Sequence, residues 1–287
     1  MSFKDQTIWI TGASSGIGKA LAIRFLREGA YVILSGRKVN QLTDVSEISK
    51  EHSLVLPFDT TDFDSLPDKV ETAWNWRSGV DMLINNAGVS QRSFALDTKF
   101  EVYRQLIEID YLAPVALTQL ILPKMTARKK GHLAVVSSVA GKVGPPLRSG
   151  YSGAKHAIIG YFDCIRAELE EFFNIHVSTI LPGSVRTNIA INSFAGDGSS
   201  RGKSDTNIEN GMELDHAIDL IMDGLRNKRR EINVSDGVEL AAQNLRASDP
   251  EKLFKVTATE GFRLSQLRES EGPKVSMDPG DVRNFKV

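Results

Sequence analysis

The N-terminal part of the chain contains the stretch Thr7-Ile8-Trp9-Ile10-Thr11-Gly12-Ala13-Ser14-Ser15-Gly16-Ile17-Gly18. It begins with apolar and β-branched residues, as a buried strand does, and a helical pattern starts at Ile17. Glycines between a strand and a helix allow a tight turn, and the helix N-terminus offers N–H groups and a positive dipole to phosphates. A purely structural turn is the alternative. The order of strand, loop and helix predicts a dinucleotide-binding loop, whose expected contact residues are Gly12, Ser14, Ser15, Gly16, Ile17 and Gly18.

Strand-like and helix-like segments alternate from this loop to residue 234, and each predicted strand is almost continuously apolar. The seven predicted strands are Thr7–Thr11, Tyr31–Ser35, Leu54–Phe58, Met82–Asn85, Leu133–Ser137, His176–Leu181 and Glu231–Val234. The clearest predicted helices are Ile17–Glu28, Glu101–Lys129, Tyr151–Phe173 and Asp215–Asn227. This alternation predicts an α/β fold with a single doubly wound (Rossmann) domain. Its seven-stranded parallel sheet is flanked by helices, and its ligand crevice lies at the carboxyl ends of the strands.

Two segments depart from this alternation. Residues 192–211 are rich in Gly, Ser, Asp and Asn, so we expect a mobile surface loop that is either a solvated connection or a lid over a substrate. Residues 237–287 follow the last strand and are expected to form a C-terminal helical extension, with Asp249 capping a helix and a frayed tail from Gly272. The dinucleotide-binding domain is therefore assigned to residues 1–236.

The composition is that of an ordinary globular chain. Of the 287 residues 41% are hydrophobic and 25% are charged, and the formal net charge of -1 gives no reason to expect nucleic acid or an anionic membrane as a partner. The single cysteine, Cys164, lies among apolar residues of a helical pattern and is predicted to be a buried thiol in a reducing compartment. The apolar run Val115–Leu122 is shorter than the roughly 20 residues of a membrane span, and no signal peptide is evident. We therefore expect a cytoplasmic protein without an integral membrane segment.

Four further motifs follow predicted strands or begin a helix. They are Asn85-Asn86-Ala87-Gly88, Ser137-Ser138, Tyr151-Ser152-Gly153-Ala154-Lys155 and Pro182-Gly183-Ser184-Val185-Arg186-Thr187. Together with the TGxxxGIG loop, and in this order, they resemble the short-chain dehydrogenase/reductase family over residues 5–235. The resemblance implies a nicotinamide cofactor. It places Asp59 and Thr60 beside the adenine, Asn86, Ala87 and Gly88 beside the adenosine, and Pro182, Gly183, Val185 and Thr187 beside the nicotinamide amide.

The end of the second predicted strand bears on which nicotinamide cofactor is used. An NAD site places an acidic residue there to accept the ribose hydroxyls, but this chain has Gly36 followed by Arg37 and Lys38. A guanidinium at this point can bind the extra phosphate of NADP. The pattern therefore predicts NADP, with Arg37 as its phosphate ligand. Ser15 departs from it, because other NADP-binding members have a basic residue at that position.

The expected chemistry is carried by Ser138, Tyr151 and Lys155. Ketone reduction needs a hydride, which the cofactor supplies, and a proton, which a side chain supplies. Tyr151 and Lys155 lie one helical turn apart, so the ammonium favours the phenolate electrostatically. Ser138 can hydrogen-bond the substrate oxygen. The resemblance implies these same roles, and it also makes Tyr151 and Lys155 part of the cofactor site.

The fourth catalytic position of the family is usually an asparagine, and this chain has Asp110 there. Pro114, four residues later, has no N–H to give to the carbonyl of residue 110, so a kinked helix and a free backbone acceptor for water are expected. The carboxylate either faces Lys155, where it would oppose a phenolate at Tyr151, or points away as a surface charge. We favour the second orientation and expect Asp110→Asn to keep activity within about tenfold.

The remaining expectations concern metals, partners and rival functions. No metal site is expected, because the five histidines lie in different elements without ligand spacing. The partner is expected to be a small-molecule carbonyl or alcohol, and the chain after Val234 resembles reductases of lipophilic carbonyls. Apolar residues expected near the cleft are Val143, Pro145, Pro146 and Leu147. A homodimer or homotetramer is expected through the two longest helices. A 3-oxoacyl-carrier reductase and a non-catalytic NADP(H) sensor stay open as alternatives.

Overall fold

The protein is described by a computed structural model in which residues 2–272 are placed. The expected parallel sheet is confirmed: among the described residues there are seven strands, in the order β3-β2-β1-β4-β5-β6-β7. Every neighbouring pair in this order is parallel. The strands are β1 Thr7–Thr11, β2 Tyr31–Ser35, β3 Ser53–Val55, β4 Met82–Asn85, β5 Gly131–Val136, β6 Ile175–Pro182 and β7 Glu231–Val234. The order reverses between β1 and β4, so a crevice opens at their carboxyl ends.

Helices cover both faces of this sheet. Those of the doubly wound part are α1 Gly16–Arg27, α2 Val39–Ser46, α3 Leu66–Trp76, α4 Phe100–Ile107, α5 Ala113–Ala127, α6 Ser149–Phe173, α7 Thr206–Glu209 and α8 Leu214–Arg226. Two helices form the expected C-terminal extension, α9 Gly237–Ser248 and α10 Pro250–Glu271. Single 3-10 turns occur at Lys50–His52, Phe63–Ser65, Ala95–Asp97 and Val139–Gly141. The predicted frayed tail falls on residues 273–287, outside the described part of the chain.

The core lies in two layers, one on each side of the sheet. One layer packs α1 and α8 against the strands through residues such as Phe25 and Ile218. The other packs α3, α5 and α6 through residues such as Leu117 and Phe162. Trp9 is fully buried in β1, and its indole N–H donates to the hydroxyl of Ser35 over 2.9 Å. Apolar burial on both faces explains why the strands are almost continuously apolar.

Two predicted elements differ from the observed ones by more than two residues at an end. The third strand ends at Val55 instead of Phe58. Bonds to the β2 side nevertheless continue past its end, since Leu56 N donates to Leu34 O over 3.0 Å and Phe58 N donates to Gly36 O over 3.2 Å. The long predicted helix 101–129 is interrupted by a π turn at Glu108–Leu112, which joins α4 to α5. Pro114, which cannot donate to the residue-110 carbonyl, explains this break in the helical hydrogen bonds.

The segment 192–211 is less solvated than expected. Asp205 is buried and accepts a hydrogen bond from Arg92 Nε at 2.7 Å, and its other oxygen caps α7 by accepting from Ile208 N at 3.1 Å. Phe194 N also donates to Ser90 O over 2.8 Å. These contacts attach the segment to the loop that follows β4. The segment is therefore anchored to that loop both at Phe194 and at Asp205.

The prediction that Cys164 is a buried thiol is wrong, because the side chain is exposed. The buried stripe of α6 is formed by Ile158, Phe162, Ile165 and Leu169. Cys164 lies between two residues of this stripe in sequence and therefore projects from another side of the helix. Apolar neighbours along the sequence did not reveal which side of the helix the thiol occupies.

One helix among the described residues, Phe100–Ala127, is long and apolar enough by length and composition to cross a membrane. It has 28 residues and a mean hydropathy of 1.4 in its most apolar window. The apolar run Val115–Leu122 was predicted to be too short for a membrane span. The observed helix is longer than that run, because α4, the π turn and α5 form one continuous helix. Such a helix is only a weak indication, since core helices pass the same test, and Leu117, Ile121 and Met125 are buried against the sheet.

Candidate active site

A groove of about 540 Å³ lies at the carboxyl ends of the strands, where β1 and β4 diverge. It brings together the predicted cofactor and catalytic residues other than Gly18. Those that line it are Gly12, Ser14, Ser15, Gly16, Ile17, Arg37, Asp59, Thr60, Asn86, Ala87, Gly88, Asp110, Ser138, Tyr151, Lys155, Pro182, Gly183, Val185 and Thr187. Parallel strands end at the same edge of a sheet, so motifs that are far apart in sequence meet here.

The glycine loop is held against the loop that follows β4. Thr11 Oγ1 accepts hydrogen bonds from the backbone N–H groups of Asn86 and Ala87, both at 3.0 Å, and Asn86 Nδ2 donates to Thr11 O at 2.8 Å. Gly12 has a φ of 67°, and a Cβ there would lie 2.9 Å from Ala87 Cα. A Cβ at Gly18 would collide with Asn86 Nδ2 and the Gly12 carbonyl. Gly18 therefore allows α1 to approach the loop from behind, and it does not line the groove.

We expect Gly18→Ala to destabilise the protein by about 1–3 kcal/mol, because the colliding groups are backbone and a bonded amide that have no room to move. The measurement is the free energy of unfolding in urea. Gly261→Ala in α10 is the matched control, since a Cβ there meets nothing within 4 Å. Helix propensity should make that control neutral or more stable by up to about 1 kcal/mol. Equal unfolding free energies for the two variants would contradict the packing role of Gly18.

Arg37 and Asp59 face each other at the outer end of the groove. Arg37 Nη1 lies 3.6 Å from Asp59 Oδ2, and the arginine side chain is 75% exposed to solvent. Burial works to raise the pKa of Asp59, but hydrogen bonds from Thr61 N and Oγ1, together with Arg37, hold that pKa below its ordinary value. Asp59 is therefore ionised and orients Arg37 without covering it. No sequence pattern predicts this ion pair, because it joins two different loops.

The three central polar residues meet at the inner end of the groove. Lys155 is buried; its Nζ donates to Val136 O at 3.0 Å and lies 5.7 Å from the centre of the Tyr151 ring. Ser138 Oγ donates to Pro182 O at 3.2 Å and accepts from Ala140 N at 3.1 Å. Burial opposes the charge of Lys155, but Asp110 and Tyr151 outweigh it and raise the pKa of the lysine. Lys155 is therefore an ammonium held below the tyrosine ring.

The expectation that Asp110 points away as a surface charge is wrong. Asp110 is buried, and its Oδ1 lies 3.1 Å from Lys155 Nζ and accepts from Val89 N at 3.2 Å. Its Oδ2 is buried and has no hydrogen-bond partner among the described residues. Burial raises the pKa of Asp110, while the Lys155 ammonium opposes that increase. Residue 110 lies four positions after Leu106 and eight after Val102, the buried residues of α4, so it continues the buried side of the helix.

A second cavity, of about 170 Å³, opens from the inner end of the groove. The expected apolar residues Val143, Pro145 and Pro146 line it, but Leu147 does not, because that side chain packs against Leu264 of α10. The other apolar walls of the cavity were not predicted from the sequence. These are Val139, Ala140, Ile189, Ile208, Val238, Ala242, Leu253 and Val256. Several belong to α9 and α10, so the C-terminal extension closes a cavity that sequence periodicity cannot assign to it.

The extension is attached to the β6 loop at this cavity. Glu239 of α9 accepts hydrogen bonds from the backbone N and the hydroxyl of Ser184, both at 2.8 Å. A Cβ on Gly183 would collide with the same carboxylate. A side chain at position 183 would therefore displace the Glu239 carboxylate. Among the histidines, His132 is buried in the sheet, where its Nε2 lies 2.8 Å from Ser178 Oγ and burial lowers its pKa to about 3.

Comparisons with known proteins agree with this geometry. Residues 6–198 match the family model described as short chain dehydrogenase. The chain is 38% identical to dehydrogenase/reductase SDR family member 7B of Danio rerio over 278 residues, which cover 93% of this chain and 89% of that protein. It is 37% identical to dehydrogenase/reductase SDR family member 7 of Homo sapiens over 239 residues, which cover 81% of this chain and 70% of that protein.

Solved structures show the same fold. A short-chain dehydrogenase/reductase from Burkholderia phymatum in complex with NAD has a TM-score of 0.76 at 20% identity, covering 88% of this chain and 96% of that one. A short-chain dehydrogenase from Burkholderia cenocepacia in complex with NADP has a TM-score of 0.74 at 22% identity, covering 88% and 97%. The family match and the relatives together show that this chain belongs to the short-chain dehydrogenase/reductase family of NAD(P)-binding oxidoreductases.

Proposed function

We propose that the protein is an NADP(H)-dependent oxidoreductase that interconverts a lipophilic carbonyl compound and its secondary alcohol, with Tyr151 as the general acid and base. The observation that carries this proposal is the position of Tyr151 and Ser138, which line both the polar groove and the apolar cavity. A cofactor in the groove and a carbonyl in the cavity would therefore meet at these two side chains. The groove is larger and more polar than the cavity, whose walls are mostly apolar.

The bound nicotinamide would supply the hydride, and the protein groups would manage the proton. In reduction, the Tyr151 hydroxyl gives its proton to the carbonyl oxygen, and in oxidation the phenolate takes it back. Lys155, an ammonium held by Val136 O and Asp110, favours that phenolate. Ser138 can turn its hydroxyl from Pro182 O toward the substrate oxygen and stabilise the charge that develops there. The apolar walls exclude water from this point.

The preference for NADP is supported by the outer end of the groove. Arg37 and Lys38 line it, and the position after β2 is Gly36, which presents no carboxylate. A carboxylate there would repel a ribose phosphate, whereas a guanidinium binds it with charge-assisted hydrogen bonds. Asp59 holds the Arg37 side chain at this end and leaves most of it exposed. The arrangement favours a dianionic phosphate over a free hydroxyl.

We expect Arg37→Asp to weaken NADPH binding by about ten- to a hundredfold, since a charge-assisted contact contributes roughly 1.5–3 kcal/mol. NADH binding should improve, because the new carboxylate can accept hydrogen bonds from ribose hydroxyls. The measurement is the Kd of each cofactor by fluorescence titration. Arg37→Lys is the matched control and should keep most of the preference for NADPH. An unchanged ratio of the two dissociation constants in Arg37→Asp would remove this residue from cofactor selection.

The proposed reaction is tested by a panel of ketones and secondary alcohols, with absorbance of NADPH as the signal. Turnover of aliphatic or polycyclic ketones by NADPH is the expected result. A non-catalytic sensor would bind NADPH and consume none of it with any ketone. Short, strongly polar carbonyl compounds should be poor substrates, because the cavity walls cannot solvate them. Preference for such compounds would contradict the lipophilic assignment.

We also propose a homodimer or homotetramer in the cytoplasm. Leu112 and Phe172 are exposed apolar side chains at the π turn and on α6, with relative exposures of 40% and 69%. Apolar side chains on long helices are typical of faces that pair with a symmetry mate. Light scattering of the purified protein measures the assembly, and a monomer at micromolar concentration would contradict it.

A further inference from the structure

Arg148 is a half-buried residue that lines the apolar cavity. It is the residue directly before α6 and lies three positions before Tyr151. Its side chain lines the cavity together with Tyr151 and Arg92, while most of the remaining wall is apolar. A guanidinium in such surroundings loses water contacts and is costly unless an anion or hydrogen-bond acceptors replace them.

The two cavity arginines differ in their partners. Arg92 donates from Nε to Asp205 at 2.7 Å, and from Nη1 to Ser90 Oγ at 2.7 Å and Gln91 O at 2.8 Å. Within residues 2–272, the guanidinium of Arg148 makes no hydrogen bond or ion pair with a protein group. Its planar set of N–H donors is therefore available to a molecule in the cavity.

The nearby carboxylates are already engaged. Asp205 is bound by Arg92 and Ile208 N, and both oxygens of Glu239 accept from Ser184. Both oxygens of Glu260 accept from Arg263, at 2.7 and 2.8 Å. Each carboxylate has its own donors, so Asp205 and Glu239 attract Arg148 electrostatically without a hydrogen bond to it.

The charge of Arg148 persists at neutral pH. Burial has the largest effect on the pKa of Arg148 and, together with the positive charge of Arg92, lowers it to about 10. Asp205, Glu239 and Tyr151 act in the opposite direction.

The N-terminus of α6 is a separate feature, because its first N–H groups are occupied. Gly150 N and Tyr151 N donate to Gln91 Oε1 at 2.8 and 3.3 Å. An anion would therefore bind the arginine side chain and not the helix end.

We propose that the substrate carries an oxyanion, a carboxylate or a phosphate monoester, that pairs with Arg148 while its hydrocarbon part occupies the apolar cavity. Because Arg148 and Tyr151 are close in the chain and line the same cavity, the anion lies only a few bonds from the carbonyl that is reduced. This inference rests on the proposed function for the reaction, but the anion site can be measured without turnover. The chemical class is a lipophilic keto acid or keto phosphate.

The first experiment measures binding by calorimetry to the enzyme saturated with NADP+, using probes that cannot react. The probes are decanoate, decyl phosphate and uncharged methyl decanoate. The anions should bind wild type about ten- to a hundredfold more tightly than the ester. Arg148→Gln should remove this difference, and Arg148→Lys should keep part of it. Arg229→Gln is the charge-matched control, because Arg229 pairs with Asp223 at the surface. Equal binding of anions and ester by wild type would overturn the proposal.

The second experiment compares turnover of straight-chain keto acids with that of their methyl esters, with the carbonyl two, three or four carbons from the carboxylate. A keto phosphate is the third kind of substrate, and comparing it with the keto acids shows whether the enzyme prefers a phosphate or a carboxylate. We expect Arg148→Gln to reduce the acid-to-ester ratio of kcat/KM about ten- to a hundredfold. If kcat/KM for the acid and for the ester fall by the same factor in Arg148→Gln, Arg148 acts through Tyr151 and the anion site is refuted. Anion binding without turnover of any ketone would leave the site intact and refute the reductase function instead.

Discussion

Tyr151→Phe should reduce turnover of every ketone substrate by about a thousandfold or more, within the range of 10²–10⁴ that proton transfer typically contributes. The variant keeps the ring that packs over Lys155 and loses only the hydroxyl that lines both the groove and the cavity. NADPH binding should stay within about twofold, because no phosphate contact is removed. The measurements are kcat by NADPH consumption and the Kd of NADPH by fluorescence titration.

Tyr103→Phe is the matched control for the loss of a phenol. Tyr103 Oη lies 3.0 Å from Ser149 Oγ at the start of α6, and Tyr103 does not line the groove or the cavity. Its removal should leave kcat within about twofold, since a partly exposed hydrogen bond contributes little. Substantial reductase activity in Tyr151→Phe, with the control unchanged, would show that another group supplies the proton.

The fold could be predicted because each local signal agreed with the others. Apolar strands alternate with amphipathic helices, and the motifs follow strand ends, so a doubly wound parallel sheet satisfies all of them. The errors are local: β3 ends early, at Val55, and a π turn interrupts the helix before Pro114. The π turn has a hydrogen-bond cause, because Pro114 lacks the N–H that the regular helix requires.

The site was predictable only where it depends on residues at strand ends. Those residues meet because parallel strands share an edge, and sequence order is enough to locate them. The contribution of α9 and α10 was not predictable, because Glu239 reaches Ser184 through tertiary packing. The direction of a helical side chain also needs the helix's packing, which is why Cys164 and Asp110 were assigned to the wrong surroundings.

Asp110→Leu should destabilise the protein by about 3–5 kcal/mol, because it leaves the buried Lys155 ammonium without its anion. Lys155 would keep only the Val136 carbonyl as an acceptor among the groups that now hold it. Asp110→Asn should be far milder, since an amide oxygen can still accept from Lys155 Nζ and Val89 N. The measurement is the free energy of unfolding in urea for both variants. A third protein, the double variant Asp110→Leu with Lys155→Met, is measured in the same way. The double variant should recover stability, because the lone buried charge is then gone.

The aspartate at this position also has a catalytic consequence that the asparagine variant isolates. A carboxylate beside Lys155 neutralises part of the positive field that favours the Tyr151 phenolate. Removing that carboxylate in Asp110→Asn strengthens the field, so the phenolate forms at lower pH and alcohol oxidation should reach its maximum at lower pH. Activity at the new optimum should remain within about tenfold of wild type, a change of roughly 1.4 kcal/mol in barrier. A shift to higher pH, or a hundredfold loss, would mean that the carboxylate itself moves a proton, and Asp110 would then be a catalytic residue instead of a positioning one.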